Sequence, residues 1–234
     1  MTRRIPWIIL SVLTSVAPAF ATSITIGGSG LNNVFPFGCG PSCGPTYLGE
    51  YQQIYSSTAF GGPITINQIA FETAPLAPHA ITDVFTLSLG TTFASPAGPG
   101  TTYVGNRRPD FTTVFSGAVT VPATGSGTFD FIVNLTTPFT YNPLNPGNLL
   151  LDVFIVSDSD GGTQFVAGSS LSVGRLFNVG GTGAATPEGN YGLLTRFSDE
   201  AAATVPEPTS LMLLATGLAV GARRWRKRRG RNER

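Results

Sequence analysis

The sequence of 234 residues is poor in charged, sulfur-containing and imidazole side chains. Charged residues make up 12% of the chain, which has two cysteines, two methionines and a single histidine, His79. Structural zinc takes four thiolate or imidazole ligands, so this inventory excludes a zinc domain. Gly and Pro are abundant, at 29 and 18 residues, but they lack the three-residue period of collagen.

Positive charge is scarce in the middle of the chain. Residues 22–204 contain four arginines and eleven carboxylates, which gives this segment a net charge of −7. Nucleic-acid binding requires a basic surface that neutralises phosphates. The acidic middle segment therefore excludes a nucleic-acid partner for the folded part of the protein.

The N-terminal segment carries two of the remaining basic residues. Arg3 and Arg4 precede an apolar run over residues 5–16, and Ala19 and Ala21 are the small residues that a signal peptidase requires. The sequence therefore predicts a signal peptide over residues 1–21, cut after Ala21, and hence export. A retained membrane helix is the alternative, which the shortness of the run disfavours.

The C-terminal segment, residues 205–234, has three parts in order. Pro206-Glu207-Pro208 is followed by an apolar run over residues 209–222 and then by a basic cluster. The run contains Leu211, Leu213, Leu214, Leu218 and Val220, and the cluster contains Arg223, Arg224, Arg226, Lys227, Arg228 and Arg229. As a helix the run is about 21 Å long against about 30 Å of hydrocarbon. It predicts a marginal, temporary anchor with the cluster held on the cytoplasmic side; an ordinary tail anchor and a solvated basic tail are the alternatives.

This arrangement resembles the PEP-CTERM sorting signal over about residues 205–229. The resemblance implies that an exosortase, a membrane-bound transpeptidase-like cysteine enzyme, recognises Pro206, Glu207 and Pro208 and removes the apolar helix and the basic tail. It implies transient anchoring in the inner membrane, followed by release to the cell envelope or the extracellular space. Association with exopolysaccharide is a further expectation from the same resemblance.

Residues 22–204 form the predicted folded domain, and their hydrophobic pattern has the period of β-strands. Phe85, Leu87 and Leu89 alternate with polar residues, and Gly- and Pro-rich turns separate such runs. We expect one all-β domain, an antiparallel sandwich or jelly roll of about nine or ten strands. Residues 149–156 are apolar on nearly both faces, which indicates a central strand. The parity slip between Ile66 and Ile69 indicates a β-bulge.

Part of this domain also resembles a recurring β-rich body found in front of PEP-CTERM tails. The resemblance covers about residues 48–197 and rests on Tyr51-Gln52-Gln53-Ile54-Tyr55, on Phe60-Gly61-Gly62-Pro63-Ile64 and on Gly147-Asn148-Leu149-Leu150-Leu151-Asp152. It implies the fold and the compartment, and it implies no activity.

Two short motifs in the domain are candidate sites. In an exported chain, Cys39 and Cys43 favour a disulfide that closes a Gly- and Pro-rich loop. Asp158 and Asp160 precede Gly161 in a pattern that suits either calcium or an ordinary hairpin turn. The turn is favoured because a third oxygen ligand and a distal Glu are missing from the pattern.

The sequence contains residues that could recognise carbohydrate. Candidate sugar-stacking rings are Tyr47, Tyr51, Tyr55, Tyr103 and Tyr191, and paired carboxylates for glycoside hydrolysis are available among the eleven of the domain. The main expectation is a non-enzymatic envelope or matrix protein without a cofactor. The alternatives are a calcium-dependent, lectin-like carbohydrate-binding module and a polysaccharide-active enzyme.

Overall fold

The computed structural model describes residues 22–38, 49–74, 80–121, 128–158, 163–178 and 185–199, and they are nearly all β. Within these ranges there are thirteen strands and one α-helical turn, α1. The elements are β1 Ser23–Ile26, β2 Leu31–Asn33, β3 Glu50–Tyr55, β4 Ile64–Phe71, β5 Ile81–Thr92, α1 Tyr103–Asn106, β6 Thr112–Val121, β7 Phe131–Tyr141, β8 Asn148–Asp158, β9 Phe165–Ser169, β10 Val173–Phe177, β11 Thr186–Glu188, β12 Tyr191–Leu193 and β13 Thr195–Ser198.

The strands form three antiparallel sheets that enclose one hydrophobic core. The four-stranded sheet has the order β1-β13-β4-β7, the six-stranded sheet β11-β10-β3-β8-β5-β6, and the small sheet β12-β9-β2. Phe131 of the four-stranded sheet stacks on Phe85 of the six-stranded sheet, with ring centroids 6.0 Å apart. The predicted all-β sandwich is confirmed. Its strands outnumber the expected nine or ten because several have only three residues, too few to show an alternation.

The predicted strand parities and the bulge are confirmed in β4 and β5. Phe85, Leu87 and Leu89 are fully buried on one face of β5. In β4, Ile66 pairs with Phe139 of β7, whereas Gln68 pairs with Asn134. The four residues 135–138 of β7 therefore lie opposite the single residue 67. Pro138, which has no N–H to donate to a ladder, lies in this bulge.

Strand β8 is central in the six-stranded sheet, as predicted, because it pairs with β3 on one side and β5 on the other. Its inner face is fully buried. On its outer face Asp152 is buried, but Phe154 and Val156 are 47% and 48% exposed. The expectation that both faces are covered is therefore wrong for the second half of the strand.

The β5–β6 loop, residues 93–111, covers the first half of that outer face. The Nδ2 of Asn148 donates to the carbonyl oxygen of Ala94, at 2.9 Å. A Cβ atom on Gly174 of β10 would lie 2.0 Å from the carbonyl oxygen of Pro96. The backbone of the loop thus lies directly on β10, so Gly174 has no room for a side chain.

Phe37 joins the three sheets from a turn that follows β2. Its ring is fully buried, with ring centroids 4.4 to 5.6 Å from those of Phe71, Phe85, Phe131 and Phe165, which come from four different strands. The N–H of Gly38 donates to the carbonyl oxygen of Val34 at 2.7 Å. A Cβ atom on Gly38 would lie 1.7 Å from the carbonyl oxygen of Thr163, so only glycine fits directly after Phe37.

Replacing Phe37 by Ala should lower the free energy of unfolding by about 3–5 kcal/mol, because the change leaves a cavity where the three sheets meet. Urea unfolding of the exported protein measures this loss. Leu144→Ala is the matched control: Leu144 is exposed, and its loss should change stability by less than about 0.5 kcal/mol. Equal effects of the two substitutions would contradict a central role for Phe37.

Candidate functional site

A cluster of polar side chains lies between the six-stranded sheet and the β5–β6 loop. Glu50 and Gln52 extend from the outer face of β3, and Asp152 extends from the neighbouring β8, where it is the register partner of Gln52. Asn106 and Arg107 reach the same place from the end of α1. We call these five residues the carboxylate cluster.

The two amide side chains of the cluster bind one another and the loop backbone. The Nε2 of Gln52 donates to the Oδ2 of Asp152 at 2.6 Å and to the carbonyl oxygen of Tyr103 at 3.0 Å. The Nδ2 of Asn106 donates to the Oε1 of Gln52 at 2.8 Å, and the N–H of Gly100 donates to the Oδ1 of Asn106 at 3.2 Å. Each buried amide is therefore satisfied at both ends, which removes the cost of burying it.

Arg107 is the cation that both carboxylates of the cluster share. Its Nε donates to the Oδ2 of Asp152 at 3.0 Å, and its terminal NH2 group forms an ion pair with the Oε1 of Glu50. The guanidinium also lies 4.6 Å from the ring centre of Phe111. The hydroxyl of Tyr103 donates to the backbone carbonyl of Glu50 at 2.6 Å. These contacts hold the loop on the sheet.

Burial makes ionisation of both carboxylic acids less favourable. It raises the pKa of Glu50 from 4.5 to about 7, with a further increase from the nearby Asp152 and a partial offset from Arg107. Burial also raises the pKa of Asp152, which is opposed by hydrogen bonds from Gln52 and Arg107. For Glu50 the effect of burial thus exceeds the opposing effect of the Arg107 guanidinium.

The carboxylate pair has the composition of a glycosidase site but a closed geometry. The side chain of Asp152 is only 4% exposed beneath the loop, and Arg107 binds both acids. A glycosidase places its two carboxyl groups on either side of the scissile bond, with space for the sugar between them. The pair therefore holds the loop on the sheet. The hypothesis of a polysaccharide-active enzyme stays a prediction, and this pair does not support it.

The tyrosines that the sequence suggested for sugar stacking occupy other roles. Tyr51 and Tyr55 are fully buried, so their assignment to a sugar platform was wrong. Tyr51 donates its hydroxyl to Gln53, and Tyr55 donates to the Oγ1 of Thr195 at 2.9 Å. Burial raises the pKa of both hydroxyls. The ring of Tyr191 lies 4.4 Å from the Arg175 guanidinium, and Tyr47 lies outside the described residues.

Phe154 presents an exposed aromatic ring on the outer face of the six-stranded sheet. Its register partners are Glu50 on β3 and Thr86 on β5, and Thr86 in turn pairs with Ser116 on β6. Hydroxyl pairs run along β5 and β6: Thr86 with Ser116 at 3.4 Å and Thr82 with Thr120 at 3.0 Å. We call this uncovered surface the open strip; it consists of Phe154, Val156, Thr82, Thr86, Ser116 and Thr120.

The calcium hypothesis at Asp158 and Asp160 stays a prediction. Asp158 ends β8 and lies opposite Asp83 of β5 in the register, which places a further carboxylate on the neighbouring strand. Asp160 lies outside the described residues. Within the ranges that the structure describes, no group of three or more His, Cys, Asp or Glu side chains could hold a metal ion.

The remaining candidate residues also fall outside the described residues. These are Ala19 and Ala21, the Cys39 and Cys43 pair and the whole segment 205–234. The predicted signal peptide, disulfide and sorting tail therefore stay predictions as far as geometry is concerned. In the part of the chain that the structure does describe, there is no helix with the length and apolar character needed to cross a membrane.

Comparison with known proteins identifies the C-terminal segment. Residues 204–229 match the family model of the PEP-CTERM protein-sorting motif, which confirms the resemblance of the tail. The motif implies an extracellular protein that is sorted to the cell envelope with an exosortase as its processing partner. Searches of curated proteins and of solved structures returned no match.

Glu50→Gln should make the stability of the protein less dependent on pH. In the wild type the raised pKa of Glu50 means that the folded state binds a proton more tightly than the unfolded state. The contribution of protonated Glu50 to the free energy of unfolding is therefore fully present below about pH 4.5 and is lost as the pH rises to about 7. Urea midpoints measured across this range should fall with pH in the wild type and fall less in the variant.

Asp110→Asn is the control for this prediction, because Asp110 lies on the same loop but binds the N–H of Thr91 instead of the cluster. It should keep the wild-type dependence on pH. A Glu50→Gln variant whose urea midpoints fall as steeply as those of the wild type would contradict the assignment to Glu50.

Proposed function

We propose, from the PEP-CTERM motif at residues 204–229, that this protein is a non-enzymatic component of the cell envelope or extracellular matrix. An exosortase processes its tail, and the folded domain associates with exopolysaccharide after release. The motif is the observation on which the proposal depends, because it implies both the route and the destination.

The tail has the chemistry that such processing requires. Proline at positions 206 and 208 removes two backbone donors and disfavours helix at the preceding residues. We therefore expect the segment Pro206-Glu207-Pro208 to be accessible to an enzyme, and Glu207 offers that enzyme a charge to recognise. In this proposal the three residues are recognition residues of a substrate and have no catalytic role.

The residues after Pro208 hold the protein in the membrane until it is cut. Leu211, Leu213, Leu214, Leu218 and Val220 belong to the apolar run, whose length as a helix is marginal for a bilayer. The basic cluster at residues 223–229 stays in the cytoplasm because each basic residue gains about 1 kcal/mol near anionic lipid. A membrane segment of marginal length and fixed orientation suits an anchor that is later removed by cleavage.

The folded domain suits a matrix component better than an enzyme. Glu50 and Asp152, the carboxylates of the cluster, are both bound to Arg107 and serve to hold a loop. The net charge of −7 over residues 22–204 keeps the domain soluble and separate from acidic polymers. Neutral polysaccharide is therefore the matrix polymer that we assign to it.

Changing Pro206-Glu207-Pro208 to three alanines should leave export intact and block release, because the exosortase loses its recognition residues. In a host with the exosortase, the uncut protein should accumulate in the inner membrane with its folded domain outside. Immunoblots of membrane and medium fractions measure the distribution. Deleting residues 209–234 should instead give a soluble exported protein that bypasses processing.

The matched control changes Ala201-Ala202-Ala203, which lie just before the motif, to three serines. This variant should be released like the wild type. If the triple-alanine variant reaches the medium at normal size and amount, the tail is not a sorting signal and the proposed route is wrong.

A further inference from the structure

The open strip is continuous with the carboxylate cluster, and together they form a row across four strands. Glu50, Phe154, Thr86 and Ser116 are successive register partners on β3, β8, β5 and β6. Neighbouring strands lie about 4.8 Å apart, so the row is roughly 14 Å long. It presents a carboxylate at one end, an aromatic ring next to it and two hydroxyls at the other end.

We propose that the open strip is the binding site for a neutral polysaccharide, with one sugar ring stacked on Phe154. This inference rests on the proposed function and adds the site and the substrate class to it. A pyranose has an apolar C–H face and a rim of hydroxyls. The ring of Phe154 offers an apolar surface for that face, and Thr86 and Ser116 each both donate and accept hydrogen bonds.

The polar side chains of the row, Glu50, Thr86 and Ser116, have partners before any ligand arrives. Thr86 and Ser116 lie 3.4 Å apart across the ladder, and Arg107 binds the carboxylate of Glu50. The backbone beneath them is the interior of a sheet with partners on both sides of β8 and β5. Binding to a site of this kind therefore has a small free-energy cost for ordering the polar side chains.

The charge of the domain selects neutral polymers over acidic ones. With eleven carboxylates and four arginines in residues 22–204, the domain repels polyanions such as nucleic acids and uronic acid polymers. At the β3 end of the row the charged groups are Glu50 and Arg107, which form an ion pair. A neutral polyol therefore matches the strip, because it needs hydrogen bonds and an apolar contact but no counter-charge.

A protein partner fits this surface less well. The apolar part of the strip consists of Phe154 and Val156, which are about half exposed, whereas stable protein interfaces have a well-packed apolar core within about 800 Å² per partner. The strip is also a sheet face and not an edge, so an extended peptide cannot add to it as a strand. Beside these residues, on β5 and β6, two hydroxyl pairs lie on either side of the register pair Val84 and Ala118.

The experiment uses the full chain purified in detergent from the host, so that it does not depend on processing of the tail. Host exopolysaccharide is divided by anion exchange into a neutral and an acidic fraction, and each fraction is immobilised. The wild type should bind the neutral fraction and bind the acidic fraction at least roughly tenfold more weakly. Phe154→Ala should weaken binding to the neutral fraction by at least about tenfold, as expected for a central aromatic anchor.

Two further variants separate loss of the site from loss of folding. Phe154→Tyr keeps the ring and should retain binding, whereas Leu171→Ala removes an exposed side chain, 83% accessible, on the turn between β9 and β10 and should have no effect. Urea midpoints for all variants show which of them are folded. The double variant Thr86→Val with Ser116→Ala should weaken binding to the neutral fraction even though Phe154 is unchanged.

The outcomes distinguish this site from the proposed function. Binding to the neutral fraction that survives Phe154→Ala in a folded protein overturns the site but not the association with polysaccharide. Preferential binding to the acidic fraction overturns the charge argument and with it the site. Absence of binding to both fractions overturns the site and the polysaccharide association, whereas sorting by the exosortase is measured separately through the triple-alanine variant.

Discussion

The insertion of Phe37 between the sheets is the contact on which the rest of the domain depends. One ring from a turn packs against phenylalanines of four strands that belong to three different sheets. Each sheet by itself has one apolar face to bury, and the ring gives those faces a common centre. The close approach of Gly38 to the Thr163 carbonyl then fixes where the chain leaves the core. This inner packing sets where each strand lies, and the strands in turn position the side chains of the outer surface.

The two halves of the outer face of the six-stranded sheet have different environments because of one loop. Under residues 93–111 the side chains form a closed network in which Arg107 satisfies two acids. Beyond the loop the same strands expose Phe154 and paired hydroxyls. Glu50 lies at the boundary, as a member of the carboxylate cluster and the register partner of Phe154. Arg107, which holds the loop on the sheet, thus also orients the carboxylate next to the open strip.

Much of the strand pattern was predictable from local alternation, and the surface was not. Phe85, Leu87 and Leu89 show the period of a strand with one buried face, and the parity slip after Ile66 marks the bulge directly. Phe154 was missed because an apolar residue on the second face of β8 suggests coverage, whereas the loop covers only the first half. The burial of Tyr51 and Tyr55 depends on β3 facing β12 and β13, which is a long-range arrangement. The tail was recognisable because its order of residue types is itself the motif.

The position of β13 links folding to the order in which the chain crosses a membrane. This strand, residues 195–198, lies inside the four-stranded sheet between β1 and β4, although it is the last described strand. A chain that emerges from its N-terminus first presents β1 and β4 early and leaves a gap between them. The gap closes only after residue 198 has emerged, a few residues before the sorting motif. The sheet therefore cannot be completed until the chain has emerged almost as far as the sorting motif, so the last strand of the sheet and the motif become available one directly after the other.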